Sequence, residues 1–144
     1  MSITTFLKIK NIFGKEVNKS FAKSKIDWDR SVSKPQKRIK DIVKTLWVYQ
    51  DVHEELYIPN SKLRVDLINF TTSTVIEVSP KQHDTYNDFF HKDRQKFLRS
   101  LERDFKKIEW CEMNDFQYIE IDEKTLKLKD EQIFNFIKNE IESV

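Results

Sequence analysis

Apolar positions along the chain follow two alternating periods. Between residues 35 and 49, Ile39, Ile42, Val43, Leu46 and Trp47 return at three- and four-residue intervals, which predicts an amphipathic helix. Ser33 stands where a cap is needed, and Pro35 falls in the first turn, where a missing N–H is harmless. The period then shortens. Residues 55–58, 63–70 and 74–78 read as three strands, separated by turns at Pro59-Asn60-Ser61 and at residues 71–73. The third, Thr-Val-Ile-Glu-Val, is a β-branched run suited to the middle of a sheet, and Pro80 ends it. Helical spacing resumes over residues 88–106, with Phe89, Phe90, Phe97, Leu98, Leu101 and Phe105 on one broad face. Residues 108–111 and 116–121 read as strands, and residues 130–142 as a closing helix through Ile133, Phe134, Ile137 and Ile141. Residues 4–24 read as one or two helices broken near Gly14. The order predicts an α/β domain, a mixed central β-sheet flanked by helices.

Charge divides the chain in two. Residues 1–40 hold 11 Lys/Arg and 3 Asp/Glu, whereas residues 41–144 hold 15 and 21. The expected organisation is a basic N-terminal arm over residues 1–34, followed by an α/β domain over residues 35–144. Such an arm fits a phosphate backbone. Lys23, Lys25, Arg30, Lys34, Lys37 and Arg38 are the candidate contacts there, joined by Lys92 and Arg94 on the later helix. Phe6, Phe13, Phe21 and Trp28 are interleaved with the lysines, suited either to stacking on bases or to anchoring the arm on the core.

Composition removes several alternatives. With 144 residues the chain is long enough for one domain with its own core. Its one glycine excludes a P-loop or a dinucleotide fingerprint, and its one cysteine, Cys111, excludes a disulfide framework or a cysteine zinc cluster. No apolar run approaches the ~20 residues of a membrane span, and no export signal is expected of the first residues. A cytoplasmic location is expected, in the host cell if the chain is viral. His53 and His91 lack partners at metal spacing.

The chemistry sits on the second and third predicted strands. Asp66 and Glu77 flank a tight turn; each either faces solvent on a one-sided sheet or, since strands this apolar rarely carry charge otherwise, is paired or binds metal. Two such carboxylates suit Mg²⁺ or Mn²⁺. A divalent ion held there serves phosphodiester hydrolysis.

Arg64-Val65-Asp66-Leu67, followed by Val75-Ile76-Glu77-Val78-Ser79-Pro80-Lys81-Gln82-His83, resembles the PD-(D/E)XK nuclease superfamily. The pattern looks most like the branch of very-short-patch repair and EDxHD homing endonucleases, and covers roughly residues 33–122. The resemblance implies a restriction-endonuclease-like core and a metal at Asp66 and Glu77. Ser79 stands where the usual motif has lysine, and Pro80 where relatives often have glycine. Lys81, or Gln82 with His83, would then supply the missing group, and histidine titrates in the range needed to activate water. Asp93 is a second candidate on the following helix. An upstream acid often completes such sites: Asp41, Glu54 and Glu55 are the candidates, with Glu55 preferred, and Gln36 stands where some relatives have glutamate.

The expected activity is a Mg²⁺-dependent endodeoxyribonuclease, a nicking, homing or phage-type enzyme, with DNA as partner. RNA and a second copy of the chain are the other partners considered. The rivals are a non-catalytic nucleic-acid-binding module, since residues 33–78 also resemble RAP-type domains, and a virion structural protein. Holliday-junction or DNA-end processing is a variant of the enzymatic reading.

Overall fold

A computed structural model describes residues 6–79 and 94–143. Lys81, Gln82, His83, His91, Lys92 and Asp93, with Phe89 and Phe90, lie outside the described residues.

The first strands are β1 (Phe6–Lys10) and β2 (Glu16–Ser20), an antiparallel hairpin where helices were expected. Leu7, Ile9 and Val17 alternate with polar residues, the two-residue period of a strand. The turn is built locally. Asn11 Oδ1 accepts the N–H groups of Phe13 and Lys15, and Gly14 adopts φ +80°. Ile9 and the following Phe21 are buried in the core, while Ile26 and Trp28 pack against it, so the aromatic positions Phe21 and Trp28 anchor the segment.

Helix α1 (Lys34–Trp47) begins as expected, with Ser33 Oγ accepting the Gln36 N–H. Strands β3 (Val52–Tyr57), β4 (Arg64–Asn69) and β5 (Thr74–Val78) form an antiparallel meander. β3 begins earlier than predicted, at Val52. Helix α2 (Arg94–Met113) then crosses to β6 (Gln117–Ile121), which pairs parallel with β5. Residues 108–111, expected as a strand, are the last turns of α2. Trp110 and Cys111 lie buried there, and Asp115 at φ +58° ends the helix, with the Phe116 N–H reaching back to the Cys111 carbonyl. A short helix α3 (Glu123–Leu126) and helix α4 (Asp130–Glu142) complete the chain.

The sheet order is β3-β4-β5-β6, a mixed four-stranded sheet flanked by helices. α1 and α4 supply Ile39, Val43, Trp47, Ile133 and Ile137 to one core cluster. Trp110 and Cys111 of α2 join Ile9 and Phe21 in a second. The hairpin is tied to the end of α2: Trp110 Nε1 donates to the Lys10 carbonyl at 2.7 Å, and the Lys10 N–H to Asn114 Oδ1 at 2.8 Å. Among the described residues no helix is long and apolar enough to cross a membrane.

Candidate functional site

Strand register brings the acidic residues together. The pairs Leu67↔Ile76 and Ile68↔Val75 extend to set Asp66 opposite Glu77. The pairs Glu54↔Leu67 and Leu56↔Val65 bracket Glu55 opposite Asp66. Glu55, Asp66 and Glu77 therefore form one row across three adjacent strands, and facing positions in a sheet hold their side chains within contact range.

Each carboxylate is braced by the neighbouring strand. Glu77 Oε2 accepts the Asp66 N–H at 2.6 Å, and Asp66 Oδ2 accepts the Val78 N–H at 2.8 Å. Glu77 Oε1 meets Lys107 Nζ at 2.6 Å. Glu77 is buried and Lys107 largely so. Burial first, and the charge of Glu77 second, push the Asp66 carboxyl up to about 7. The Val78 N–H and Lys107 act in the opposite direction without cancelling the effect. Burial and then Asp66 also raise Glu55, against Arg64 and Arg30.

Glu55 carries a second mark. Its φ is +49°, in the left-handed region, inside a strand. Such a conformation costs a non-glycine residue of order 1–3 kcal/mol and persists only where the surroundings impose it. Side-chain alternation changes sense there: Val52 belongs to the α1-side cluster and Leu56 to the α2-side cluster.

A cleft of about 330 Å³ opens at the row, lined by Glu55, Lys62, Arg64, Asp66, Arg103 and Lys107 among others. A larger groove of about 930 Å³ adjoins it, and Glu55 and Arg64 line both. Lys23, Lys25 and Arg30, three of the expected phosphate contacts, line this groove.

No protein-family model matches the chain, and no solved structure matches it. It is similar to a protein named "Uncharacterized protein 033L" of Invertebrate iridescent virus 3, at 34% identity over 73 residues. The match covers 51% of this chain and 37% of that protein, so the chain spans little more than a third of its relative's length.

The remaining candidates are dispersed. Glu54 is buried, but its carboxylate is taken up by Lys40 of α1 at 2.7 Å, by the Asp27 N–H at 2.8 Å and by Arg30 at 3.7 Å. Lys40 Nζ also donates to the carbonyls of Asp27 and Arg30, so the pair is a closed structural clamp. Asp41 is exposed and paired with Lys37. Gln36 is buried, and its Nε2 has no hydrogen-bond partner among the described residues. Arg38 binds Asp130 and the carbonyls of Leu126 and Leu128, which fastens α1 to the C-terminal helices. Lys34 is exposed at the start of α1, and Arg94 at the start of α2. His53 is a satisfied core histidine between Ser24 Oγ and Asp51 Oδ1.

Lys107 was not among the sequence candidates. Its signal is nonetheless present: it precedes Trp110 and Cys111 by three and four residues, so a helix continued through residue 111 puts a lysine on the apolar face.

Proposed function

We propose that the chain is a metal-dependent endonuclease that hydrolyses phosphodiester bonds in DNA, built on a restriction-endonuclease-like core. The observation that carries the reading is the Asp66–Glu77 pair, braced strand to strand, with the Lys107 ammonium on Glu77. The element order supports it: a helix, an antiparallel three-stranded meander, a crossover helix and a parallel fourth strand.

The donor set fits a hard divalent cation. Burial and then the Glu77 charge raise the Asp66 carboxyl to about 7, and a bound divalent cation would favour its ionised form. Among the described residues no three His, Cys, Asp or Glu side chains gather as a complete metal cage. Mg²⁺ takes one or two protein carboxylates and fills its other positions with water and substrate phosphate. Asp66 and Glu77 would hold it, with Glu55 across the row orienting a bound water. When bound, the cation would polarise the phosphate and lower the pKa of an attacking water.

The chain's own groups do the rest. Lys107 reaches from α2 the carboxylate whose usual motif partner would stand at Ser79, and it offers positive charge where the phosphate gains negative charge. Arg103 and Lys62, at the same cleft, attract and orient the phosphate. Glu55, raised by burial and then by the Asp66 charge, is the carboxylate across the row placed to accept a proton from water.

The test is cleavage of supercoiled plasmid with Mg²⁺ or Mn²⁺ by wild type, Asp66→Asn and Glu77→Ala. Nicking or linearisation by wild type alone is the expected result. Equal cleavage by folded variants, or none by wild type on plasmid and branched duplexes, would overturn the reading.

A further inference from the structure

The larger groove bears on which form of DNA reaches the cleft. Lys19, Lys23, Lys25, Arg30, Tyr57 and Arg64 supply its cationic and aromatic lining. Lys19, Lys23 and Lys25 are exposed and make no ion pair among the described residues. Of the acidic residues on the wall, Glu54 is neutralised by Lys40, Asp27 spends a carboxylate oxygen on the Asp29 N–H, and Glu55 stands at the junction with the cleft. Five lysines and arginines thus line the groove against three carboxylates.

Tyr57 is the second observation. It is the last residue of the edge strand β3 and is 55% exposed. Its cross-strand neighbour Arg64 holds its guanidinium 5.6 Å from the ring centroid. An exposed aromatic beside a cationic track is how proteins hold single strands, whose bases are free to stack; a duplex hides those faces. The volume, about 930 Å³, is that of a ligand-sized cleft and takes a few nucleotides of one strand.

We propose that this groove binds single-stranded DNA and delivers it past Arg64 and Glu55 to the Asp66 cleft, so that the preferred substrate carries a single-stranded tail or flap. The proposal rests on the nuclease reading for what happens at Asp66, but the groove itself is tested without metal.

Fluorescence anisotropy in EDTA, with labelled oligothymidylate and a blunt duplex of equal length, reads it directly. Wild type and Asp66→Asn are expected to bind the single strand more tightly than the duplex. Lys23→Ala with Lys25→Ala should lower the slope of log affinity against log salt by about 1.4, the loss of two phosphate contacts. Tyr57→Ala should weaken binding at least about fivefold, and Tyr57→Phe should restore it, because stacking needs the ring and not the hydroxyl. With Mg²⁺, a tailed duplex should be cut faster than a blunt one. Equal affinity for duplex and single strand, or groove variants that bind as wild type does, would overturn the proposal. Groove-dependent binding with no cleavage under any metal would leave the groove standing and remove the nuclease reading.

Discussion

Replacing Asp66 with asparagine should make the metal-free protein more stable above neutral pH. The Asp66 carboxyl moves from an ordinary 3.8 to about 7 on folding, through burial and the neighbouring Glu77 charge. A carboxyl whose folded pKa is raised binds its proton more tightly in the folded state. Stability is therefore undiminished below about pH 4, declines as pH rises, and has lost the whole contribution above about pH 7. At ~1.4 kcal/mol per pKa unit, the ceiling on that loss is about 4 kcal/mol. Solvent at the cleft rim screens part of the repulsion, so a gain of about 2 kcal/mol is the expected size. Asparagine imitates the protonated acid: its oxygen can accept the Val78 N–H and its amide can donate to Glu77. Urea unfolding in EDTA at pH 4 and pH 8 is the assay. The two proteins should coincide at pH 4, and Asp66→Asn should be the more stable at pH 8. Mg²⁺ should then narrow the gap by stabilising the wild type alone. An Asp66→Asn protein less stable at pH 8, or a gap that does not change with pH, would show that the fold does not oppose the Asp66 charge.

The same geometry sets four further expectations. Lys107→Met should reduce the cleavage rate constant about 100-fold or more while the substrate KM changes little, as measured by steady-state kinetics on a labelled oligonucleotide. Glu55→Gly should relieve the φ +49° backbone, leaving thermal stability equal or higher by up to about 1 kcal/mol, and abolish cleavage. Lys40→Met leaves the buried Glu54 carboxylate only Arg30, at 3.7 Å, and the Asp27 N–H, and should cost about 3 kcal/mol in urea, with Glu54→Leu added to it recovering most of the loss. Gly14→Ala should destabilise by about 1–2 kcal/mol in a thermal melt, because its φ is +80° and the new Cβ would stand 3.1 Å from Met113 Sδ.

Where local pattern and tertiary packing agree, the fold was legible. The Val-Ile-Glu-Val run of β5 and the 3.6-residue spacing of α1 and α4 each point to the element that forms. The N-terminal hairpin was not legible, because Leu7, Ile9 and Val17 are too few to separate two periods. What holds it is remote: Trp110 and Asn114 bind Lys10 from a hundred residues away. The end of α2 was misread because Ile108-Glu109-Trp110-Cys111 suits either period, and the stop comes later, where Asp115 turns left-handed. Asp66, Glu77 and Glu55 were legible as an acidic set. Lys107 was not legible because residues 108–111 read as a strand, which left the lysine that pairs with Glu77 outside any expected helix.

The row of carboxylates depends on one turn. Four residues separate Asn69 from its partner Thr74. Asn69 Oδ1 accepts the N–H groups of Thr71 and Thr72, Ser73 adopts φ +53°, and Asn69 is itself fixed by Gln50. Those bonds determine the β4–β5 register, and the register alone sets Asp66 beside Glu77. A slip of one residue would carry either carboxylate to the opposite face of the sheet, among Ile39, Val43 and Ile137. Burying an unpaired charge there is prohibitive, so the apolar core on the α1 side enforces the alignment that the site on the α2 side requires. Stability and site geometry are thus selected together in β4 and β5. They part at Glu55, whose backbone is strained, and at Asp66, whose charge is opposed, and those are the positions where substitution should separate them.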